Sequence, residues 1–298
     1  MKIVITGATG YIGTKLVLRL SKEGHEVYAA ARQSSDTGKI KKYINGIVYT
    51  DSYLEIYEAM RKITPDVYIN LAGSYCGRHT PEKIKELFEG NIILPSYLTD
   101  AVIQAGCSHV IHTASYQQCY NGEIYNPINL YAATKQAFED ILYYYSSSKQ
   151  INVVTLQLFD TYGADDNRNK IFNLIRQVKE GECIELSPGK QKMYFCYIND
   201  VIDAYRKAIS LLQENEMGMN KRYAVRSDEP IMLKEFVEYY IEVTGKKILL
   251  EWGKRNYMEK EIMDPSGFGE VLPDWKPLIT YQEGIRLCGA YDIKNQFS

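Results

Sequence analysis

Tyr131 and Lys135 stand four residues apart in Leu130-Tyr131-Ala132-Ala133-Thr134-Lys135, so on a helix both side chains leave the same face. A free phenol ionises near pH ~10, too high to exchange protons at neutral pH. An ammonium a few ångströms away is expected to favour the phenolate and lower that value. A tyrosine placed this way gives or takes one proton at a carbon–oxygen bond. The spacing alone is a short motif, and its weight comes from the elements around it.

The first of these elements is at the N-terminus. Lys2 to Thr6 is a β-branched apolar run, followed by Gly7-Ala8-Thr9-Gly10-Tyr11-Ile12-Gly13 and a helical pattern through Leu16, Val17 and Leu20. Strand, glycine turn and helix form the context of a dinucleotide site. Gly7 permits the tight turn, Gly10 lets the backbone approach a pyrophosphate, and Gly13 lets helix pack on strand. The helix N-terminus then presents free N–H groups to the phosphates. The glycine spacing is G-x-x-G-x-x-G. With Tyr131 and Lys135, it resembles the short-chain dehydrogenase/reductase superfamily.

A second strand, Glu26 to Ala31, ends in Arg32-Gln33-Ser34-Ser35. NAD enzymes place an acidic residue there for the ribose hydroxyls, whereas a guanidinium favours a 2′-phosphate and so NADP(H), with NAD(H) as the lesser alternative. Asp51, after a third short strand, is placed to reach the adenine. Asp66 to Asn70 reads as a strand, and Leu71-Ala72-Gly73 as a turn small enough to pass under the cofactor. Asn91 opens a helix that runs to Gly106, and His109 to Ser115 is another strand. The resemblance implies that Ser115, or alternatively Thr113, binds the reacting oxygen. It also implies that Asn91 completes a proton relay with Ser115, Tyr131 and Lys135 by anchoring a water.

The alternation of strands and helices to about residue 163 predicts an α/β fold with a doubly wound parallel sheet of the Rossmann type. Its ligand is expected beyond the carboxyl ends of the strands. After Asp160-Thr161-Tyr162-Gly163 the pattern changes to a polar loop and shorter mixed segments. Residues 1–163 are therefore read as the dinucleotide-binding domain and 164–298 as a smaller mixed α/β substrate-binding lobe, with part of 197–212 packing back on the first domain.

Composition bounds the partners. Lys plus Arg is 35 against Asp plus Glu at 37, a net charge of -2, so nothing attracts nucleic acid or an acidic membrane in bulk. Met1-Lys2-Ile3-Val4-Ile5 lacks the apolar core of a signal peptide, and no stretch is long enough to span a bilayer, so the expected location is cytoplasmic. The six cysteines show no C-x-x-C pair and His109 and His112 lack zinc-site spacing, so reduced thiols and no metal are expected.

The glycine turn, Asn70-Leu71-Ala72-Gly73, the Tyr-x-x-x-Lys pair and Phe159-Asp160-Thr161-Tyr162-Gly163 together resemble an extended short-chain dehydrogenase/reductase of the NAD-dependent epimerase/dehydratase type. The run from Thr113 through Asn126-Pro127-Ile128-Asn129-Leu130-Tyr131 to Phe138-Glu139-Asp140 is most similar to CDP-abequose synthase-like nucleotide-sugar 4-ketoreductases. Trp252-Gly253-Lys254-Arg255 and Trp275-Lys276-Pro277 also fit. The resemblance implies NADPH-dependent reduction of the C4 ketone of a nucleotide-activated 4-keto-6-deoxysugar.

Thr113, Gln117, Asp160, Arg168, Lys170, Lys192 and Arg255 are the substrate candidates. The cations among them suit phosphate contact, because an arginine that many relatives carry near Met193 is missing and Lys190 and Lys192 flank that point instead. Asp160 replaces an asparagine of many epimerases. A 4,6-dehydratase of this family needs an Asp-Glu pair after its Ser/Thr, where this chain has Tyr116 and Gln117. The alternatives are a nucleotide-sugar epimerase that holds NAD tightly and, third, a non-enzymatic NADP-binding redox sensor. The resemblance also implies a homodimer built on the helices Asn91–Gln104 and Tyr131–Tyr145. In a chain with 26 tyrosines, Tyr143, Tyr144 and Tyr145 are the expected anchors.

Overall fold

The computed structural model describes residues 1–148, 150–214 and 217–296. In chain order the first half forms β1 (Lys2–Thr6), α1 (Tyr11–Lys22), β2 (Glu26–Ala31), β3 (Gly46–Tyr49), α2 (Tyr53–Ile63) and β4 (Val67–Asn70). There follow α3 (Pro81–Phe88), α4 (Leu94–Gln104), β5 (His109–Ser115), α5 (Leu130–Ser147), β6 (Asn152–Leu158) and β7 (Asp160–Tyr162). The remainder comprises α6 (Ile171–Gln177), β8 (Cys183–Leu186), β9 (Lys192–Met193), β10 (Phe195–Tyr197), α7 (Ile198–Gln213) and β11 (Asn220–Val225). It closes with β12 (Ile231–Met232), α8 (Leu233–Thr244), β13 (Leu249–Trp252) and α9 (Tyr281–Gln296).

Seven strands form one sheet in the order β11-β6-β5-β4-β1-β2-β3, and every pair is parallel. Alternate residues of a strand face opposite layers. Ile3 and Ile5 of β1 join the core under α1 and α7, with Leu16, Val17, Leu20, Val201 and Ala204. Val4, between them, joins the core under α2, α4 and α5, with Ile56, Met60, Leu98, Val102, Phe138 and Leu142. Helices on both faces explain why these strands read as continuous apolar runs. The chain builds outward from β1 through β2 and β3, then resumes at β4 on the other side of β1. That reversal opens a crevice at the carboxyl ends of β1 and β4.

Two elements differ from the expectation. The helix expected from Asn91 begins at Pro81 and passes through a π-helical turn, Glu89–Ile93, before α4. Thr80-Pro81 is a good helix start, but of α3 only Leu87 is buried, so its charged sequence shows little apolar period. The second is β11, from the segment assigned to the substrate lobe, which pairs with β6 and forms the sheet edge. Preceding it, α7 lies against α1, β5 and β6.

Beyond the sheet, α6, α8 and α9 pack around Tyr162, Phe172, Phe195, Phe236 and Tyr240, with Phe195 stacked on Phe236 at 3.6 Å between ring centroids. Short ladders β8–β13 and β9–β12 flank them. Among the described residues no helix is long and apolar enough to cross a membrane.

Candidate active site

The crevice is built by close backbone packing. Gly7 has φ +65°, and a Cβ there would stand 2.9 Å from the Ala72 nitrogen; a Cβ on Gly13 would fall 2.0 Å from the Gly7 oxygen. No side chain occupies either place without moving the backbone. The Thr6 hydroxyl accepts from the Leu71 and Ala72 N–H groups, both at 3.1 Å, and fixes the turn after β4 against β1. Gly10 caps α1 without a side-chain bond, and no acidic residue stands in the first turn. The helix end therefore keeps donors and positive dipole for an anion. This cradle could hold a dinucleotide diphosphate against the backbone of Gly7, Thr9, Gly10, Tyr11, Ile12 and Gly13. The Tyr11 side chain turns elsewhere: its hydroxyl is buried against Gly163 and its ring lies under the Arg168 guanidinium at 4.6 Å.

Arg32 is exposed just past β2. Asp51 accepts the Gln33 N–H at 2.8 Å, so it closes the turn that presents Arg32 and keeps one oxygen for the adenine contact expected of it.

At the candidate catalytic centre, Asn129 caps α5 by accepting the Ala132 N–H at 2.8 Å, and the helix carries Tyr131 and Lys135 toward the end of β5. The Ser115 side chain lies close enough to the Tyr131 phenol to favour its ionised form. Lys135 is 3% exposed and its Nζ donates to the Thr113 oxygen at 3.1 Å and the Ala72 oxygen at 3.4 Å. The expected lowering of Tyr131 by Lys135 is not what this arrangement produces. Burial pushes the Tyr131 phenol up to about 12, the Tyr75 phenol adds to this, and Ser115 pulls the other way. Burial also brings the Lys135 ammonium down to about 8, against the pull of the Glu139 carboxylate. The reason is that the ammonium bonds main-chain carbonyls, and loss of water disfavours both charged forms.

Asn91 lies in the π turn with both side-chain N–H donors engaged. Its Oδ1 accepts from Ser74 N at 2.8 Å, and its Nδ2 donates to Ser74 O at 3.0 Å and Thr134 Oγ1 at 2.9 Å. These bonds tie the turn after β4 to α5, and the Oδ1 keeps a second lone pair for the relay water expected of it. Gly73 passes directly over this pair, since a Cβ there would be 3.0 Å from Lys135 Nζ and 3.1 Å from Asn91 Oδ1.

Several substrate candidates have other partners. The Thr113 hydroxyl, the alternative to Ser115, meets the Tyr205 hydroxyl at 2.7 Å inside the sheet layer. Gln117 accepts from Asn129 Nδ2 at 3.3 Å. Arg168 donates to both carboxylate oxygens of buried Asp166, at 2.8 and 2.6 Å, and to Thr161 O at 2.9 Å. Lys192 pairs with Asp264 at 2.8 Å, and Arg255 is exposed beside Glu185 at 4.0 Å. None of these three guanidinium or ammonium groups faces the catalytic centre with its charge free. Asp160 does have free capacity: its Oδ2 is buried without a hydrogen-bond partner. Burial raises its carboxyl, while Lys170, the Tyr116 hydroxyl and Arg168 lower it. Lys170 is itself lowered, first by burial and then by Arg168.

Four residues around this centre were not read from the sequence. Tyr75 meets Tyr131 edge-on at 4.8 Å, and Tyr116 stacks on Phe159 at 5.0 Å. Glu261 is raised by burial and by Asp160. Arg226 follows β11 and lies over Tyr194 at 4.3 Å; its Nε is buried without a partner. Tyr75 and Tyr116 adjoin motifs already singled out, which was the available signal. Glu261 and Arg226 carry no signal until the chain is folded.

A sequence profile of the NAD dependent epimerase/dehydratase family matches residues 3–222. The chain is similar to CDP-abequose synthase of Yersinia pseudotuberculosis, 28% identical with 89% of this chain and 92% of that protein covered. It is similar to CDP-abequose synthase of Salmonella typhimurium at 27% identity, with 95% of each covered. Its fold is that of the UDP-glucose 4-epimerase of Thermus thermophilus, solved with NAD, at a TM-score of 0.82 and 21% identity, covering 98% of this chain and 99% of that one. With a parallel seven-stranded sheet, a glycine cradle at its reversal point and a Tyr-x-x-x-Lys helix beside it, the chain belongs to the NAD dependent epimerase/dehydratase family.

Proposed function

We propose that the protein is an NADP-dependent reductase of the C4 ketone of a nucleotide-activated 4-keto-6-deoxysugar. One observation carries this reading: Tyr131 and Lys135 stand on one face of α5 beside Ser115 at the end of β5, and burial keeps the Tyr131 phenol in its protonated form. A protonated phenol is the form that a carbonyl reduction starts from. Bound NADPH supplies the hydride. Ser115 donates a hydrogen bond to the carbonyl oxygen and Tyr131 gives that oxygen its proton, after which solvent reprotonates the phenolate. The exposed Arg32 supports a 2′-phosphate and hence exchangeable NADP(H).

The sugar has polar partners in Asp160 Oδ2 and Lys170 and aromatic faces in Tyr75 and Tyr116. Its phosphates have Arg226. Ser115, Leu158 and Val225 form one row across β5, β6 and β11. At the usual strand spacing this puts Arg226 roughly 10 Å from Ser115, the far side of a sugar ring. We assign residues 198–225 to the dinucleotide-binding domain and 164–197 with 226–298 to the substrate lobe, in a cytoplasmic homodimer.

The second reading is an epimerase with retained NAD, favoured by the name of the structural relative. Stoichiometry separates the two. Supplied with CDP-, dTDP- or UDP-4-keto-6-deoxysugars, the protein is expected to consume one NADPH per product, and Tyr131→Phe to abolish turnover with NADPH binding nearly intact. Product formed without NADPH oxidation makes it an epimerase.

A further inference from the structure

Behind Ser115 and α5 lies a polar network that the reaction as written does not use. The Ser115 N–H donates to Gln118 Oε1 at 2.9 Å, and the Gln117 N–H returns to Ser115 Oγ at 3.3 Å. Gln118 is 0% exposed, and its Nε2 donates to Glu139 Oε1 at 2.6 Å and to Gln136 Oε1 at 3.1 Å. From β11, Arg222 Nε donates to Glu139 Oε2 at 2.9 Å, and its Nη2 donates to Gln136 Oε1 at 3.1 Å and to Glu139 Oε2. Tyr131, Lys135 and Glu139 follow at intervals of four, so they share one face of α5.

We infer that Gln118, Glu139 and Arg222 are positioning residues: a clamp that holds the Ser115 main chain in register with the helix face carrying Tyr131 and Lys135. Three observations support this over a generic buried network. Gln118 links the serine turn to the body of α5, satisfying the Ser115 N–H with one end and two α5 side chains with the other. Its amide is fully enclosed, so its orientation is set by these bonds alone. The ion pair at the far end is partly buried, with side chains 24% and 11% exposed. Such pairs contribute little net stability, and geometric specification is their better-attested use.

The clamp also has an electrostatic consequence. Lys135 shares a face of α5 with Tyr131 and feels the Glu139 carboxylate of the same helix, while buried His112 of β5 feels the charges of Lys135 and of Arg222 on β11. His112 is buried and held neutral, so the Glu139 carboxylate is the group that sustains the Lys135 ammonium.

This inference rests on the assignment of Ser115, Tyr131 and Lys135, so its test has one arm that needs no turnover. In the full chain, Gln118→Leu and Glu139→Gln should each lower kcat while NADPH affinity and sugar KM hold. A misplacement of about 1 Å at a reacting centre costs on the order of 100-fold. The exchange variant Gln118→Glu with Glu139→Gln restores an acceptor for the Ser115 N–H and a donor between the two side chains. It should recover kcat to within about threefold of the unmutated protein.

In the second arm the Lys135 amine is titrated by NMR. Glu139→Gln should move its midpoint below the value of about 8 in the parent chain, because loss of a carboxylate disfavours the ammonium. Unchanged kcat in folded single variants, or an exchange variant no better than Glu139→Gln alone, overturns the clamp. An unmoved Lys135 titration overturns its electrostatic part. If the parent chain reduces no 4-keto sugar, the proposed function fails, and the Lys135 titration alone decides whether Glu139 acts on Lys135. If Gln118→Leu does not fold, the exchange variant decides the geometric part.

Discussion

At the scale of single residues, what decides this site is which charges remain unmatched after folding. Asp166 takes Arg168, Asp264 takes Lys192, and Asp165 takes Lys15 at 2.8 Å. Arg226 and Arg32 remain without an ion-pair partner among the described residues, one at each end of the proposed ligand. A guanidinium without a partner offers its full fork to a phosphate. Arg32→Ala should therefore raise the NADPH Kd by roughly 10- to 100-fold, the value of one charge-assisted contact of about 1.5–3 kcal/mol. The NADH Kd should change little. Isothermal titration of both dinucleotides measures this directly, and equal affinity of the unmutated protein for the two removes the case for Arg32.

At the scale of elements, the segments beyond the sheet are joined to it by ties that the hydrophobic pattern does not reveal. Arg176 of α6 donates to both oxygens of Asp292 on α9, at 2.8 and 2.6 Å. It also donates to Gly163 O at 3.0 Å and to Ala164 O. Tyr240 of α8 adds a bond to Asp292 at 2.9 Å. One guanidinium thus links the loop leaving the sheet, α6 and the last helix. The Arg176 and Asp292 side chains are 7% and 19% exposed. Removing one member of a buried pair strands the other, at a cost of about 3 kcal/mol. Asp292→Ala should lower the stability measured by urea unfolding by that order, with the slope of the transition unchanged. A loss below about 1 kcal/mol indicates that the pair behaves as a surface bridge.

At the scale of the whole molecule, the surface of α4 and α5 has a composition suited to a partner. Tyr143 and Tyr144 are 64% and 61% exposed. Tyr145 is not an available anchor, since its hydroxyl and that of Tyr57 both bond Asp100 within the chain. Tyr97 and Ile93 expose 44% and 47% on the neighbouring helical segment. Amphipathic aromatics of this kind are enriched at interfaces. We expect a dimer by light scattering at micromolar concentration and a shift toward monomer in Tyr143→Ser/Tyr144→Ser. A monomeric parent chain excludes the arrangement.

The sequence by itself determined whatever depends on local period and backbone sterics. Strands β1, β2 and β5 follow from β-branched runs, the cradle from Gly7 and Gly13, and the shared face of Tyr131 and Lys135 from a spacing of four. These are properties of neighbours in the chain, so they survive without knowledge of the fold. Tertiary structure alone decided what stands opposite each group. It placed β11 in the sheet, Lys192 on Asp264, Thr113 on Tyr205, and Gln118 between Ser115 and Glu139. It also reversed the expected direction for Tyr131, because a pKa responds to water excluded by distant segments and to charges brought close by folding. Desolvation and pairing act through space, between residues as far apart in sequence as Gln118 and Arg222, and so no reading along the chain could supply them.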